Sequence, residues 1–570
     1  MSDSAKLKLV LCWHMHQPNY FDPVTQEYDL PWTYLHVIKD YVDMVAHLEA
    51  APAARVVVNF APILLEQIDD YAKQVEGYLD GGDDLSDPLL QALASADFSG
   101  GYSRRTALVK ACLRVNHETV IRRFPSYQLL ADMAPSLLED VDKFLYVSDQ
   151  YIVDLLVWYH LGWLGETIRR NDERVMRLMR KAREFTPDDC TLLLQIIGEQ
   201  LSTVLTRYRR LAEQGQIELS FTPYAHPIMP LLLDINTTHE AMPHAPLPET
   251  TAYPGGEERV RWHIRKGLAV FEHYFGFRPQ GCWPSEGAVS SEVLHILADE
   301  GLCWSASGES VLRNSLAQKE TPSELQEQGC IHRPYLLADE RINGFFRDDG
   351  LSDLIGFTYS GWSADDAVND LLSHLQNIKM ACAENGDAVV SIILDGENAW
   401  ESYPENAYPF LTALYEKLST HPAIEMTTFA DCLKEISPRA SVPKVVAGSW
   451  VYGTFSTWIG EPDKNRGWDM LIAAKQAYDR AMAGVELSAD EVDELERQLA
   501  VCEGSDWFWW FGDYNSADAV SDFERLYRIQ LATLYRMLGT EPPDSLSQTF
   551  SYGGGAPAAS GTMRHGQESQ

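Results

Sequence analysis

The stretch Val389 to Glu401, VVSIILDGENAWE, constrains the fold more than any other part of the chain. Val389, Val390, Ile392, Ile393 and Leu394 are interrupted only by Ser391, and the sequence then turns abruptly to Asp395, Gly396, Glu397 and Asn398. An apolar run without alternation marks a strand buried on both faces, typical of a central parallel strand. The acidic cluster therefore falls at the C-terminal end of that strand. In a parallel α/β barrel the loops leaving the strands converge at that rim, and reactive side chains gather there. Two carboxylates and an amide so placed suggest acid–base chemistry on a polar substrate.

Other segments repeat the pattern. KLVLCWHMH (Lys8 to His16) reads as a first strand, on which His14 and His16 face the same way and Pro18 ends the run near a rim. Such a pair can bind metal, donate to a ligand or pack in a polar core. RVVVNF (Arg55 to Phe60) reads as a second strand, and residues from about 84 to 214 read as helix, too much for one crossover and so an insertion walling one side. QIELSFTPYAHPIMP returns to strand, with Glu218 in the strand and His226 in the loop. In RPQGCWPSE a strand leads to Trp283 and then Glu286, an aromatic face beside an acid that suits a sugar ring. Read alone, the bland alternative for this pair, a buried Trp and a solvated Glu, is the better one.

Leu302 to Ser305, Gly344 to Arg347 and Ile424 to Thr427 supply further short strands, the last closing the series. This alternation of strand and helix implies a parallel barrel or a doubly wound sheet. FFRDDGLSDLIGFTYSGW carries Arg347, Asp348, Asp353, Tyr359 and Trp362 at loop-like positions. Beyond about Ala430 helical patterns dominate, and Ser545 onward is poor in large apolar residues and is expected to be disordered. The aromatic run Trp507 to Phe511 is read as domain-interface packing with one ring reaching a subsite, and Lys464 and Arg466 as loop charges.

Composition narrows the partners. A formal charge of −37 would repel nucleic acid and an anionic membrane surface. Nine scattered cysteines form neither a metal knuckle nor a disulfide framework by spacing and read as buried free thiols. The N-terminal apolar run, Leu9 to Trp13, is too short for a signal core, so a cytoplasmic location is the default expectation.

Taken together, HMHQP, GQIELSFTPYAHPIMP, CWPSEG, LDGENAWE and the segment from Trp458 to Asp469 resemble the five sequence blocks of glycoside hydrolase family 57, in the family's order. The resemblance implies an α/β fold: an incomplete (β/α)7 barrel over residues 1–430, including the insertion at 84–214, then a helical domain over 431–544 and a tail over 545–570. It implies Glu286 as nucleophile and Asp395 as general acid/base of a retaining enzyme acting on α-glucans or maltooligosaccharides. It also implies that His14, His16, Glu218, His226, Trp283, Glu397, Trp458 and Asp469 line the subsites or hold the catalytic pair. Arg347, Asp353 and Trp400 complete the substrate-binding candidates. FRDDGLSDLIGF looks like the amylopullulanase-like branch, which implies α-1,4 and, as a finer expectation, α-1,6 hydrolysis. No metal or cofactor is expected.

Three alternatives remain open at the level of sequence. A 4-α-glucanotransferase would use the same glycosyl-enzyme. A metal-dependent carbohydrate deacetylase or mannosidase would use the HMH pair as ligands, although no Asp adjoins these histidines. A non-catalytic glucan-binding protein would have lost its carboxylates, whereas both are present.

Overall fold

The computed structural model describes residues 6–82, 84–95, 101–382, 388–436, 440–484 and 487–555. Seven parallel strands form its centre: β1 (Leu7–Met15), β2 (Val56–Phe60), β3 (Ile217–Phe221), β4 (Gly281–Cys282), β5 (Trp304–Gly308), β6 (Ile342–Arg347) and β7 (Val389–Asp395). They follow one another in chain order, and β7 pairs with β1 from Lys8↔Val389 to His14↔Asp395. The ring is closed on the other side by a single pair, Ser391↔Arg347. The expected seven-stranded α/β barrel is thus the observed architecture.

Strand alternation sorts the side chains. Val10, Cys12, Val57, Trp283, Trp304, Ala306, Phe345, Val389 and Ile393 pack together in the barrel interior, with Phe429 inserted from outside the ring. Followed upward, each of several strands turns polar: Cys12 gives way to His14, Val57 to Asn59, Phe345 to Arg347 and Ile393 to Asp395. The apolar lower layers supply burial worth about 1.5–3 kcal/mol per large side chain. The polar top layer is the surface on which a ligand can be held.

Three expectations require correction. The segment Ile424–Met426 is not a barrel strand; it pairs with Leu7–Leu9, along the part of β1 that precedes its pairing with β2 at Cys12–Met15. The helix Pro187–Glu213 does not belong to the insertion. It packs most heavily against Pro62–Leu79, and also against Pro88–Ser95 of the inserted wall and Gly256–Phe275 of the outer ring, and it leads directly into β3 as a barrel helix, so the inserted wall proper spans about Pro88 to Lys181. Its start is set by Thr186, which forms a capping box with Asp189 ahead of Pro187 at the first helical position.

The tail is the third. Residues up to 555 are packed: Leu546 and Phe550 are buried, the Phe550 amide donates to Glu524, and Ser551 Oγ accepts from the Gly512 amide. One aromatic and one leucine suffice to anchor a segment whose average composition suggests disorder. Residues 556–570 lie outside the described residues.

The C-terminal region consists of the helices Pro462–Met482, Ala489–Cys502, Asp506–Trp510 and Ala517–Met537. It is locked to the barrel by a buried ion cluster in which Glu503 accepts from Arg259 (2.8 Å) and pairs with His263 (2.8 Å), while Tyr253 OH also donates to it. Although burial opposes it, Arg259 and His263 hold the Glu503 carboxyl at about 2. No helix among the described residues is long and apolar enough to cross a membrane.

Candidate active site

The register of β7 beside β1 puts Asp395 next to His14, and that of β2 puts Asn59 on the other side. Asn59 Oδ1 lies 2.7 Å from His14 Nδ1, which fixes the ring, and His14 Nε2 lies 3.2 Å from His226 Nε2. His226 sits at φ 59°, an unusual conformation for a non-glycine residue, and is held there by Ser505, whose Oγ is 2.8 Å from its Nδ1. His16 stacks on His226 with centroids 3.8 Å apart and pairs through Nε2 with Asp506 at 2.9 Å.

Glu286 reaches the same place from the turn after β4. Its φ of 56° bends the chain sharply, and Gly287 follows at φ 59°, where a Cβ would meet the Trp283 ring at 2.7 Å. Two consecutive left-handed residues thereby turn the Glu286 side chain inward over Trp283. One of its oxygens, Oε2, accepts a hydrogen bond from Trp450 Nε1 at 2.9 Å.

Glu286, Asp395, Glu397, Asn398, Asp506 and the three histidines line one small cavity of about 30 Å³. Beside it opens a cleft of about 210 Å³, which shares Asp395 and Asn398 and is walled by Arg347, Asp349, Asp353, Phe357, Trp450, Tyr452 and Trp509. Burial, followed by the charges of Asp395 and Asp506, pushes Glu286 well above the usual carboxyl range. Asp395 is pushed up to about 6, again by burial first; Asn398, His16 and Arg347 oppose the rise and Asp506 adds to it. Glu397 too is driven up, by burial and then by Asp395. Its Oε1 accepts from Gln17, and its Oε2, like His16 Nδ1, has no protein partner. Buried polar atoms left open in a cavity are poised to take ligand hydroxyls.

Of the residues singled out from sequence, Glu286, Asp395, His14, His16, His226 and Glu397 meet in the small cavity, while Arg347 and Asp353 line the cleft. Arg347 donates to Asp349 and Asp353, each at 2.7 Å, and lies over the Trp450 ring. Five others do not reach either space. Glu218 lies near the N-terminal end of β3, at the opposite end of the barrel, where it accepts from Trp304 and the Ala430 amide. Trp283 is fully buried beneath the Glu286 turn, and Trp400 is buried edge-on against Trp13 with its N–H on the Gly396 carbonyl. Trp458 is buried behind Trp509, and Asp469 accepts from the Glu249 and Thr250 amides, pinning that loop. The three tryptophans pack behind the rim, whereas Glu218 and Asp469 serve parts of the fold away from it.

The site residues that sequence reasoning missed are Asp506, Trp450 and Asn59, while Asn398 is the amide that the opening motif placed beside the two carboxylates. Asp506 had a signal, a lone carboxylate heading the aromatic run DWFWWF. Two rings of that run, Trp509 and Trp510, reach the ligand spaces. Lys464 is no loop charge: it is buried, donates to the Phe508 carbonyl and Tyr514 OH, and is lowered to about 7 by burial.

The trio His16, His226 and Asp506 brings three potential metal ligands within 4.8 Å of one another. The two imidazoles are nearly parallel, with 14° between their planes. Nitrogen lone pairs lie in the ring plane, so face-to-face rings do not converge on one ion in the way a tetrahedral centre needs. This geometry favours the carboxylates over the histidines as the chemical groups.

Several solved structures share the fold. The branching enzyme of Thermococcus kodakaraensis, solved with glucose, aligns at a TM-score of 0.57 and 15% identity over 93% of this chain and 90% of that one. The branching enzyme of Pyrococcus horikoshii gives 0.56 and 16% over 95% and 93%. The α-amylase AmyC of Thermotoga maritima gives 0.55 and 13% over 95% of each chain. No curated protein sequence matches the chain. Residues 10–444 match the family described as Glycosyl hydrolase family 57, which is most of the barrel and its rim. The chain therefore belongs to glycosyl hydrolase family 57, enzymes that act on α-glucans by hydrolysis or glycosyl transfer.

Proposed function

We propose that this enzyme cleaves α-1,4-glucans with retention of configuration, Glu286 attacking the anomeric carbon and Asp395 serving as acid and then as base. The observation that carries the reading is that these two carboxylates, delivered by different strands, line one cavity and are both driven toward the protonated form. Buried carboxylates this close cannot both ionise freely, which is the condition a nucleophile and a proton donor need. A retaining mechanism requires the two carboxyl groups to stand about 5–5.5 Å apart, closer than the pair of an inverting enzyme, which opens for water.

In the first step Glu286 attacks the anomeric carbon while Asp395 protonates the departing glycosidic oxygen, leaving a glycosyl ester on Glu286. In the second, ionised Asp395 takes a proton from the incoming hydroxyl, which displaces Glu286. Trp450 steadies one Glu286 oxygen and leaves the other to react. Open polar atoms of His16 and Glu397 take sugar hydroxyls, and Trp509 offers a ring face in the cleft.

Water is the acceptor in the amylase-type reading, with α-1,6 cleavage as in the amylopullulanase branch its finer form. One observation favours transfer as a second reading. A groove of about 620 Å³, lined by Met242 to Pro246 and by Thr457, Ile459 and Lys464, meets the cleft at Tyr452 and Trp509 and could seat an acceptor chain. Incubation with amylose, maltopentaose and pullulan, with products resolved by length and anomer, decides. Hydrolysis gives a rise in reducing ends in the α-form, and pullulan cleavage marks α-1,6 action. Longer or branched products without that rise mean transfer, and a β-anomer would overturn the retaining mechanism.

A further inference from the structure

Away from the catalytic rim, three potential soft ligands meet at the seam where β6 and β7 close the barrel. Cys330 and His332 precede the short strand Tyr335–Leu337, and Cys382 follows the helix Ala364–Ala381. Their ligating atoms lie within 4.8 Å of one another, and Cys330 Sγ is 3.8 Å from His332 Nδ1. A tetrahedral centre with Zn–S near 2.3 Å and Zn–N near 2.0–2.1 Å places sulfur and nitrogen about 3.6 Å apart, so the Cys330–His332 pair is already within a few tenths of an ångström of that spacing and Cys382 lies close enough to move in. Cys330 and His332 are half-buried, which leaves an entry path from solvent.

The second nitrogen of the imidazole is equally well placed. His332 Nε2 lies 2.8 Å from Asp348 Oδ2, and the other Asp348 oxygen caps the turn Asp349–Asp353 by accepting from the Leu351 amide. A carboxylate on the far side of a ligating imidazole fixes the tautomer and aims the free nitrogen at the metal. We propose that Cys330, His332 and Cys382 bind one zinc ion, with Asp348 orienting the histidine and a water in the fourth position. Two thiolates and an imidazole select zinc over magnesium or calcium, which take oxygen ligands.

The location supplies a role. The Val389 amide donates to the His332 carbonyl and the Asp348 amide to the Ser391 carbonyl, so the cluster hangs on the first half of β7. There the barrel is closed by one residue pair alone. A metal joining the 330–332 segment to the end of the 364–381 helix clips that seam from outside. It is separate from the catalytic carboxylates and does not depend on the reaction proposed for them.

The full chain is purified under reducing conditions, stripped with a chelator and titrated with zinc or, as a spectroscopic probe, cobalt. The expected result is one equivalent per chain, a thiolate-to-cobalt charge-transfer band, and a rise in Tm on zinc addition. Cys330→Ser and Cys382→Ser each abolish the band and the Tm rise, whereas Cys303→Ser, at an exposed cysteine elsewhere, changes neither. Asp348→Asn weakens zinc by about 10–100-fold. Because binding is read against the apo form of the same variant, a loss of fold is distinguished from a loss of metal. No zinc uptake by the reduced chain, or uptake that persists in both serine variants, overturns the site.

Discussion

Glu286 and Glu503 are both buried glutamates, and they are pushed in opposite directions. Glu503 sits where the C-terminal helices meet the barrel, with Arg259 and His263 against it, and its carboxyl is held at about 2. Glu286 sits at the rim with Asp395 and Asp506 as its charged neighbours and only the Trp450 N–H in support, and it is driven well above the usual range. Burial penalises both. What differs is the partner: a cation turns a buried acid into an anchor, and a second acid turns it into a reactive group.

The comparison breaks most visibly at the rim. Glu286→Gln and Asp395→Asn should each lower kcat by about 10³-fold or more with the fold intact by circular dichroism, a loss that acid–base and nucleophilic roles require. Near-normal turnover by either variant would remove that residue from the chemistry. At the interface the corresponding change acts on stability. Arg259→Met strands the Glu503 charge and should cost about 3–5 kcal/mol in denaturant unfolding. An unchanged midpoint would show that His263 and Tyr253 suffice.

Two smaller effects sharpen the contrast. The free-enzyme kcat/KM should be bell-shaped, because turnover needs a single proton on the Glu286–Asp395 pair: it falls toward low pH as both carboxyls hold protons and toward high pH as both ionise. A flat profile would assign the acid elsewhere. Glu286→Gln should also raise Tm, and the sign follows from linkage. The native state holds the Glu286 proton to higher pH than the unfolded chain does, so this carboxyl costs stability as pH rises from its ordinary value near 4.5 through its raised native value. The Gln variant should therefore gain a few degrees at about pH 8 and nothing at about pH 4. A gain independent of pH would point to packing instead.

Much of this was legible in the chain because a parallel strand buried on both faces has an unmistakable pattern. The runs ending at His14, Phe60 and Asp395 showed both the strands and the end at which their polar residues would gather. Glu218 was expected at the site from the family resemblance, and its position in the strand speaks against that expectation. As the second residue of β3 it belongs at the rim opposite Asp395. Trp283, Trp400 and Trp458 misled for a different reason. A tryptophan beside an acid reads the same whether its ring faces sugar or fills the layer beneath, and only packing tells these apart. Asp506 carried a local signal at the head of its aromatic run, but its place beside His16 depends on how a distant helix docks.

That docking has a consequence for how the enzyme comes into being. Translation delivers β1 to β7, with Glu286 and Asp395, well before Ser505, Asp506, Trp509 and Trp510 leave the ribosome. Until those last residues arrive, His226 lacks its Ser505 partner, His16 lacks Asp506, and the cleft lacks a wall. A nascent or prematurely ended chain thus carries both reactive carboxylates without an enclosure to desolvate them. The site is therefore complete only once Ser505 to Trp510 have been made and have docked on the barrel.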